Sequence, residues 1–233
     1  MSIRPQQNIT VSKDGPYLVQ GGVTLTDKVM TSAGHCREYR DGAALQQSEE
    51  YALCRCGSTE TAPFCDGHHV DVGFDGTETA GRLPYLQRAE VLEGPTLDLL
   101  DDNRCAFARF CHRADSEVWT LTERSDDPDL RTEALHAAAD CPAGRLVHRD
   151  KINGYSEVEP AFDPEVSSLQ DPERGVSGPL YVRGGVGLVS SDETAYEQRN
   201  RYALCRCGNS HNKPFCDAAH IGAGYLDGIA HEE

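Results

Sequence analysis

The sequence predicts an α+β protein that is mostly β, with two small repeated β-rich modules in a pseudo-twofold arrangement around a small α+β domain. The repeat is the first observation: residues 51–69 and 202–220 align without a gap. Composition is the second, since 22 Gly and 12 Pro in 233 residues favour turns and short strands over long helices. The third is that the segment between the repeats resembles neither copy and carries a helical pattern.

Each repeat begins with predicted β-structure that is interrupted at a Gly-Gly pair. Residues 15–25 (GPYLVQGGVTL) match residues 178–188 (GPLYVRGGVGL) at an offset of 163, whereas the later stretches match at 151. The first copy therefore holds twelve extra residues between positions 25 and 51. In both copies YALC predicts a second strand, and one helical turn is expected to start at Asp66 and Asp217.

The middle segment predicts two strands, TLDLL and GRLVHRD, around a helix in DPDLRTEALHAAADC. Leu130, Ala134, Leu135 and Ala138 fall on one face of this helix. EVWTLTE alternates and predicts a further strand, and CAFARFCHRA predicts a loop with a short helix. EVEPAFDPEVSSLQDPERG is interpreted as a linker, which gives three domains at residues 1–80, 81–160 and 161–233.

Charge and composition exclude several function classes. The formal net charge is −16, with 22 Lys and Arg against 38 Asp and Glu, so the surface repels nucleic acid and anionic membranes. It suits a basic face on a partner protein, although a merely solvated acidic surface explains it equally well. Because no apolar stretch is typical of a signal peptide or a membrane helix, we expect a cytoplasmic protein. Ten cysteines then indicate metal or redox chemistry rather than disulfides.

The repeated loops share the ligand spacing C-x-C-x8-C-x3-H. Two cysteines flank one residue, and the third cysteine and the histidine lie one helical turn apart, which gives two ligand pairs. A [2Fe-2S] cluster needs two ligands for each iron, whereas a tetrahedral Cys3His zinc site is the alternative. The predicted ligands are Cys54, Cys56, Cys65 and His69, and Cys205, Cys207, Cys216 and His220. The hydroxyls of Thr59 and Ser210 are expected to donate hydrogen bonds to cluster sulfurs.

These loops resemble the CDGSH iron–sulfur (mitoNEET-like) family. The first copy matches its motif from Cys54 through Thr59, Pro63 and Asp66 to His69, and the second departs from it at Ala218, which replaces a glycine. The resemblance implies a β-rich fold, two Cys3His [2Fe-2S] clusters, and roles in electron transfer or in delivery of clusters to acceptor proteins.

The sequence supports three function hypotheses. An electron carrier is favoured because a neutral histidine ligand raises the potential of a cluster relative to four thiolates. A cluster store or donor is the alternative, since imidazole is the ligand most easily protonated near neutral pH. A zinc-stabilised adaptor is the third. No P-loop, dinucleotide-binding motif or Ser-His-Asp set is present, so we expect a redox carrier that serves a partner oxidoreductase, not an enzyme.

A third cluster is predicted in the middle domain. Cys105 and Cys111 have five residues between them, and Cys141 precedes a proline. This segment resembles divergent single-cluster bacterial ferredoxins, in which the position of one further cysteine is filled here by Ala108. Three thiolates suit a [3Fe-4S] cluster, whereas a [4Fe-4S] cluster needs a fourth ligand, for which His112 is the nearest candidate. The alternative is that the cysteines are small buried residues, and Cys36 is interpreted as a free loop thiol.

Overall fold

The computed structural model describes residues 7–34, 36–45, 47–113 and 116–229. These residues form mostly β-structure with short helices, as predicted. The strands are β1 (Asn8–Val11), β2 (Tyr17–Gln20), β3 (Thr24–Ala33), β4 (Cys36–Asp41), β5 (Tyr51–Leu53), β6 (Glu90–Glu93), β7 (Leu97–Asp101), β8 (His112–Arg113), β9 (Ser116–Glu117), β10 (Leu146–Asp150), β11 (Ser156–Val158), β12 (Glu165–Asp171), β13 (Val176–Arg183), β14 (Gly187–Val189) and β15 (Arg201–Leu204). The α-helices are α1 (His68–Asp71), α2 (Tyr85–Arg88), α3 (Val118–Glu123), α4 (Pro128–Ala139) and α5 (Ala219–Gly222), with a 3-10 turn at Pro172–Arg174.

Two mixed sheets contain the repeats, in the orders β14-β1-β2-β5 and β15-β13-β12-β3-β4. In each sheet the strand after the Gly-Gly pair of one copy runs parallel to the first strand of the other copy. β1 pairs with β14, and β12 pairs with β3. Each mixed sheet therefore combines strands from both predicted modules. The boundaries of these modules stay a prediction.

The registers follow a pseudo-twofold axis. Asn8 pairs with Gln20 as Glu165 pairs with Arg183, and Gln20 and Arg183 are matched residues of the repeat. β1 and β12 are therefore counterparts, although their sequences do not show it. At the axis, the backbone of Cys56 forms an antiparallel bridge with its own counterpart in the second loop.

One apolar core lies between the repeats. Its buried residues come from both copies, because the exchanged strands bring both Gly-Gly segments into the same interior. They include Ile9, Val19, Leu25, Leu53, Val166, Leu180, Leu188 and Leu204. At about 25 cal/mol per Å² of buried apolar area, this shared core stabilises the two copies as one unit.

The middle domain is an antiparallel sheet of order β11-β10-β7-β6, with α3 and α4 packed together beside it. The predicted strands at β7 and β10 and the helix at α4 are confirmed. α4 is capped by Asp127, whose carboxylate accepts the amide hydrogen of Asp129, and the helix buries Ala134, Ala137 and Ala138. In the described residues, every helix is too short or too polar to cross a bilayer.

Three predictions of secondary structure were wrong. EVWTLTE contains the helix α3, because Val118, Leu121 and Thr122 recur with helical spacing and all three are buried. CAFARFCHRA has no helix in its described residues, and Phe107 and Arg109 have positive φ angles of 57° and 66°, which end any helical run. The predicted linker, residues 157–175, contains the end of β11 and all of β12.

β12 was missed because its charged ends suggested a solvated linker. Six of its seven residues are buried in the middle of a sheet. Its end charges are compensated there: Glu165 pairs with Arg183, and Asp171 pairs with Arg109. The extra residues of the first copy extend β3 and form β4, whose Tyr39 stacks on Phe110 of the middle domain at a ring distance of 4.3 Å.

Candidate metal sites

The first repeated loop brings its four predicted ligands together as two pairs. The loop is closed by the Cys54 amide, which donates to the Pro63 carbonyl, and by the Cys65 amide, which donates to the Ala52 carbonyl, each at 2.9 Å. The Sγ atoms of Cys54 and Cys56 are 3.6 Å apart. The Sγ of Cys65 lies 3.4 Å from Nδ1 of His69.

The second loop repeats this arrangement. The Cys205 amide donates to the Pro214 carbonyl at 2.8 Å, and the Cys216 amide donates to the Ala203 carbonyl at 2.9 Å. The two sulfur atoms of the Cys205–Cys207 pair are 3.7 Å apart, and the Cys216 Sγ lies 3.5 Å from the Nδ1 of the histidine, His220. Two thiols and a thiol–imidazole pair are the ligands that two bridged irons require.

The helical turn that carries each histidine starts one residue later than expected. Gly67 and Ala218 occupy the N-cap positions with φ angles of 99° and 70°. The second copy therefore keeps the left-handed conformation without a glycine. Asp66 and Asp217 precede these caps, and each accepts two amide hydrogens that fix the loop, including those of Glu60 and His211.

Thr59 and Ser210 differ from their expected role. Their hydroxyls donate to the carbonyls of Phe64 and Phe215, each at 2.7 Å, and so brace the loop instead of facing the sulfurs. Backbone amides contact the sulfurs: the Ala218 amide donates to Cys216 Sγ at 3.4 Å. Polar backbone groups are thus directed at the predicted thiolates, as an anionic cluster requires.

The thiol chemistry fits metal binding. Burial raises the pKa of Cys56 to about 11 and also raises the pKa of Cys65 and Cys216. Free thiols at these positions are neutral, whereas metal coordination deprotonates a thiol outright. In the Cys205–Cys207 pair, the mutual hydrogen bond raises the pKa of the first thiol and lowers that of the second. The donor set therefore fits metal ions, whose positive charge stabilises the thiolates.

The two sites differ in burial. All four ligands of the second loop are buried, with His220 only 3% exposed, whereas Cys56, Cys65 and His69 are partly exposed. Burial, followed by the nearby Arg206, lowers the pKa of His220 to about 4. The second site is therefore shielded from solvent and the first is open to it.

Both loops place a buried arginine between their first two cysteines. Arg206 donates to the carbonyls of Gly178 and Leu169 and pairs with Asp227 at 2.5 Å. Arg55 donates to the carbonyl of Gly76, and its guanidinium carbon lies 5.6 Å from the centre of the Tyr17 ring. Within the described chain, Nε and Nη1 of Arg55 have no hydrogen-bond partner.

The middle domain brings its three predicted ligands into one neighbourhood. Burial and then the nearby Cys141 and Cys105 raise the pKa of Cys111 to about 12. The amides of Ala143 and Arg145 face the Cys141 sulfur and oppose the effect of burial on its pKa. The residues meet because the Cys105–Cys111 loop passes beside the end of α4.

The backbone of this loop is suited to an anionic group. Phe107 and Arg109 have left-handed conformations that alternate with the buried residues Ala106, Ala108 and Phe110. Such alternation turns successive amides toward one concave side. In the described residues, no carbonyl or side chain accepts the amide hydrogens of Ala108 and Phe110, which is costly for buried groups unless a ligand accepts them.

The middle site contacts the second loop. Ala106 packs with Ala203 and Cys216 in one buried cluster. The charge of Cys105 contributes to the raised pKa of Cys216, after burial and closer groups. Since the first and second loops meet at the axis through the backbone bridge of Cys56, the three sites follow one another in space: middle, second loop, first loop.

Two other predicted residues have separate surroundings. Nδ1 of His112 lies 3.2 Å from Glu117, and the side chain is half exposed. Cys36 begins β4 instead of lying in a loop. Burial acts to lower the pKa of the Arg113 guanidinium, but the nearby Cys36 and Asp140 outweigh it and raise that pKa. Among the described residues, no three Cys, His, Asp or Glu side chains converge on a single metal position; in the repeated loops, the ligands approach each other in pairs.

A contact that the sequence analysis missed joins the repeats. The Tyr17 hydroxyl of the first copy donates to the carbonyls of Cys205 and Pro214, at 2.8 and 3.0 Å. The alignment pairs Tyr17 with Leu180, one of four positions at which the two eleven-residue stretches differ.

Comparison with known families agrees with these sites. The family model described as "Iron-binding zinc finger CDGSH type" matches residues 14–70 and 177–221. The model described as "Divergent 4Fe-4S mono-cluster" matches residues 92–151. The chain carries two CDGSH iron-binding domains on either side of a divergent mono-cluster iron–sulfur domain. No curated protein and no solved structure matches the chain.

Proposed function

We propose that this iron–sulfur protein is an electron carrier, with one [2Fe-2S] cluster in each repeated loop and a [3Fe-4S] or [4Fe-4S] cluster in the middle domain. The observation that carries the proposal is the contact between the three sites. A store of clusters needs no such chain of contacts, whereas electron transfer depends on short distances between centres.

The residues have distinct roles in this proposal. Three cysteines and one histidine hold each [2Fe-2S] cluster, which supplies one-electron chemistry when bound. The imidazoles of His69 and His220 replace an anionic ligand, and the amides of the loop donate to the sulfurs, so both raise the reduction potential. Cys105, Cys111 and Cys141 hold the third cluster. These three thiolates suit a [3Fe-4S] cluster, whereas a [4Fe-4S] cluster needs a fourth ligand.

The partner is proposed to be an oxidoreductase that supplies or accepts the electrons, since the chain carries no substrate-transforming motif. All ten cysteines are free thiols in the structure, which suits a reducing compartment such as the cytoplasm. The acidic surface argues against nucleic acid and anionic membranes as partners.

Cluster storage or transfer is the second candidate function. It is favoured by one observation, the partial exposure of Cys65 and His69, through which iron and sulfide could leave. Incubation of the loaded protein with an apo-ferredoxin separates the candidates. Transfer within minutes supports delivery, whereas retention of the clusters with reversible one-electron reduction supports the carrier.

Iron and sulfide counts with EPR on anaerobically purified protein test the number of centres. Two [2Fe-2S] clusters give about four irons per chain, and a third centre gives about seven or eight. A triple variant, Cys105→Ser/Cys111→Ser/Cys141→Ser, should return the count to about four. Four irons in the parent protein would eliminate the middle cluster, and zinc in place of iron would leave the adaptor hypothesis.

A further inference from the structure

The two repeated loops differ in charge. Residues 54–75 hold four carboxylates and one arginine, whereas residues 205–226 hold an arginine, a lysine and one aspartate. Three carboxylates of the first loop are replaced at matched positions by residues without negative charge. The matched pairs are Glu60 and His211, Asp71 and Gly222, and Asp75 and Leu226.

The carboxylates of the first loop lie together on its surface. Glu60, Asp66 and Asp71 are exposed. The Glu60 amide donates to the Asp66 carboxylate at 2.7 Å, and Nδ1 of His68 lies 3.0 Å from the same carboxylate. Asp71 ends α1, three residues after His68, and so lies on the same side of this helical turn. The three carboxylates therefore surround one patch beside the open metal site.

The patch has an apolar part. Val70, which directly follows His69, is 72% exposed, and Val72 is 53% exposed. Beside them, a groove of about 380 Å³ is lined by Val72, Phe74 and Cys56 together with residues of the second loop. An apolar centre with a charged rim is typical of a protein docking surface. The counterpart of Val70 in the second loop is Ile221, which is partly buried.

We infer that the N-loop face, formed by Glu60, Asp66, Val70, Asp71 and Val72, docks a redox protein with a basic surface around its own centre. This inference rests on the proposed function and names the point at which electrons enter or leave. Charge complementarity selects a basic partner, because carboxylates predominate on this face. The second loop is not available for docking in the same way, since all four of its ligands are buried.

Ferric cytochrome c is a suitable probe, since it is a basic redox protein. One electron passes from the reduced chain to one ferric haem, and no proton is transferred. The double variant Glu60→Gln/Asp71→Asn removes two charges from the face without touching a ligand. Glu123→Gln/Asp126→Asn removes two exposed charges, one at the last residue of α3 and one in the turn after it, as a matched control.

Stopped-flow measurement of haem reduction at low ionic strength should show a rate about 5–10-fold lower for the first variant and nearly unchanged for the control. At about 0.5 M salt the three rates should converge, because exposed charges are then screened. Equal slowing by both variants, or by neither, would overturn the docking inference. Visible absorption of both variants should match the parent, which verifies that the clusters are retained.

Oxidation by ferricyanide distinguishes this inference from the proposed function. A reduced protein that ferricyanide cannot oxidise reversibly is not an electron carrier. Reversible oxidation by ferricyanide, combined with no selective effect of Glu60→Gln/Asp71→Asn, would contradict the docking face alone.

Discussion

The two repeated loops hold their ligands in nearly the same geometry but in different surroundings. Their sulfur–sulfur distances are 3.6 and 3.7 Å, and their sulfur–nitrogen distances are 3.4 and 3.5 Å. One loop is open and acidic, whereas the other is covered by the middle domain through Ala106. Local loop sequence therefore sets the ligand geometry, and distant segments set solvent access and charge.

The buried arginines show the same contrast. Arg206 has a carboxylate partner in Asp227, whereas the matched position of Asp227 in the first copy is Gly76. Arg55 is placed instead over the rings of Tyr17 and Phe74, at 5.6 and 5.3 Å. Arg206 also lies over a ring, that of Tyr225 at 5.5 Å, which matches Phe74, so the carboxylate partner is what distinguishes the second copy.

Replacement of Asp227 should have the largest effect. Asp227→Asn leaves the buried Arg206 without its anion, and we expect the free energy of unfolding to fall by about 3–5 kcal/mol. Asp14 accepts the Gly76 amide hydrogen in the first copy at 3.0 Å, so Asp14→Ala should cost only about 1 kcal/mol. Denaturant unfolding measures both values, and equal losses would contradict the contrast between the copies.

Substitution of matched residues at the pseudo-twofold axis should lower the free energy of unfolding equally in the two copies. A Cβ added to Gly57 lies 2.6 Å from the Cys207 carbonyl oxygen, and one added to Gly208 lies 2.4 Å from that of Cys56. Both glycines have φ near 80°. We expect Gly57→Ala and Gly208→Ala each to cost about 2–3 kcal/mol in denaturant unfolding. A difference above about 1 kcal/mol between them would show that the axis is not symmetric in energy.

Low pH should lower the free energy of unfolding of the middle domain, which covers the second loop. His148 is buried against Thr122 at 2.8 Å, and burial lowers its pKa to about 4. The unfolded chain takes up this proton near pH 6.5 and the folded chain does not, so stability is full above about pH 6.5 and falls below it. We expect a loss of about 2 kcal/mol between about pH 7.5 and 5.

His148→Gln is the matched variant for this prediction, because it keeps a polar group near Thr122 but does not titrate. Its unfolding, followed by the fluorescence of Trp119, should depend less on pH than that of the parent. An unchanged pH dependence would exclude His148 as the cause.

The difference in the rate of iron loss should be the smallest of these effects, and it compares the two loops directly. An iron chelator should remove iron from the first loop about tenfold faster than from the second, because Cys65 and His69 are partly exposed and their counterparts are buried. In the Cys105→Ser/Cys111→Ser/Cys141→Ser background, release should be biphasic, and Cys65→Ser should abolish the fast phase while Cys216→Ser abolishes the slow one. A single phase would show that burial does not control release.

Much of the fold could be predicted from sequence because the signals were local. The local residue pattern is sufficient to predict the Gly-Gly strands, the YALC strands and α4. The pairing of ligands was likewise implicit in C-x-C and C-x3-H. Chain segments that are close in sequence determine such features, so no knowledge of the tertiary structure was needed.

The remainder depended on contacts between distant residues. β12 has the composition of a linker and becomes a strand only because Arg183 and Arg109 compensate its end charges. α3 has the composition of a strand but is packed as a helix beside α4. The unequal burial of the two loops follows from the position of Ala106, which lies about a hundred residues away from Cys216.

The parallel exchange of strands has a consequence for assembly in the cell. β1 finds its neighbour β14 only after residue 189 has been synthesised, so the sheet that leads into the first loop is completed late in translation. The cysteines of the first loop are therefore synthesised before this sheet is complete. A pair of identical chains would also be forced to carry identical faces. Covalent linkage of the two halves allows each to diverge, so that the loop of one copy can be exposed to solvent while that of the other is buried.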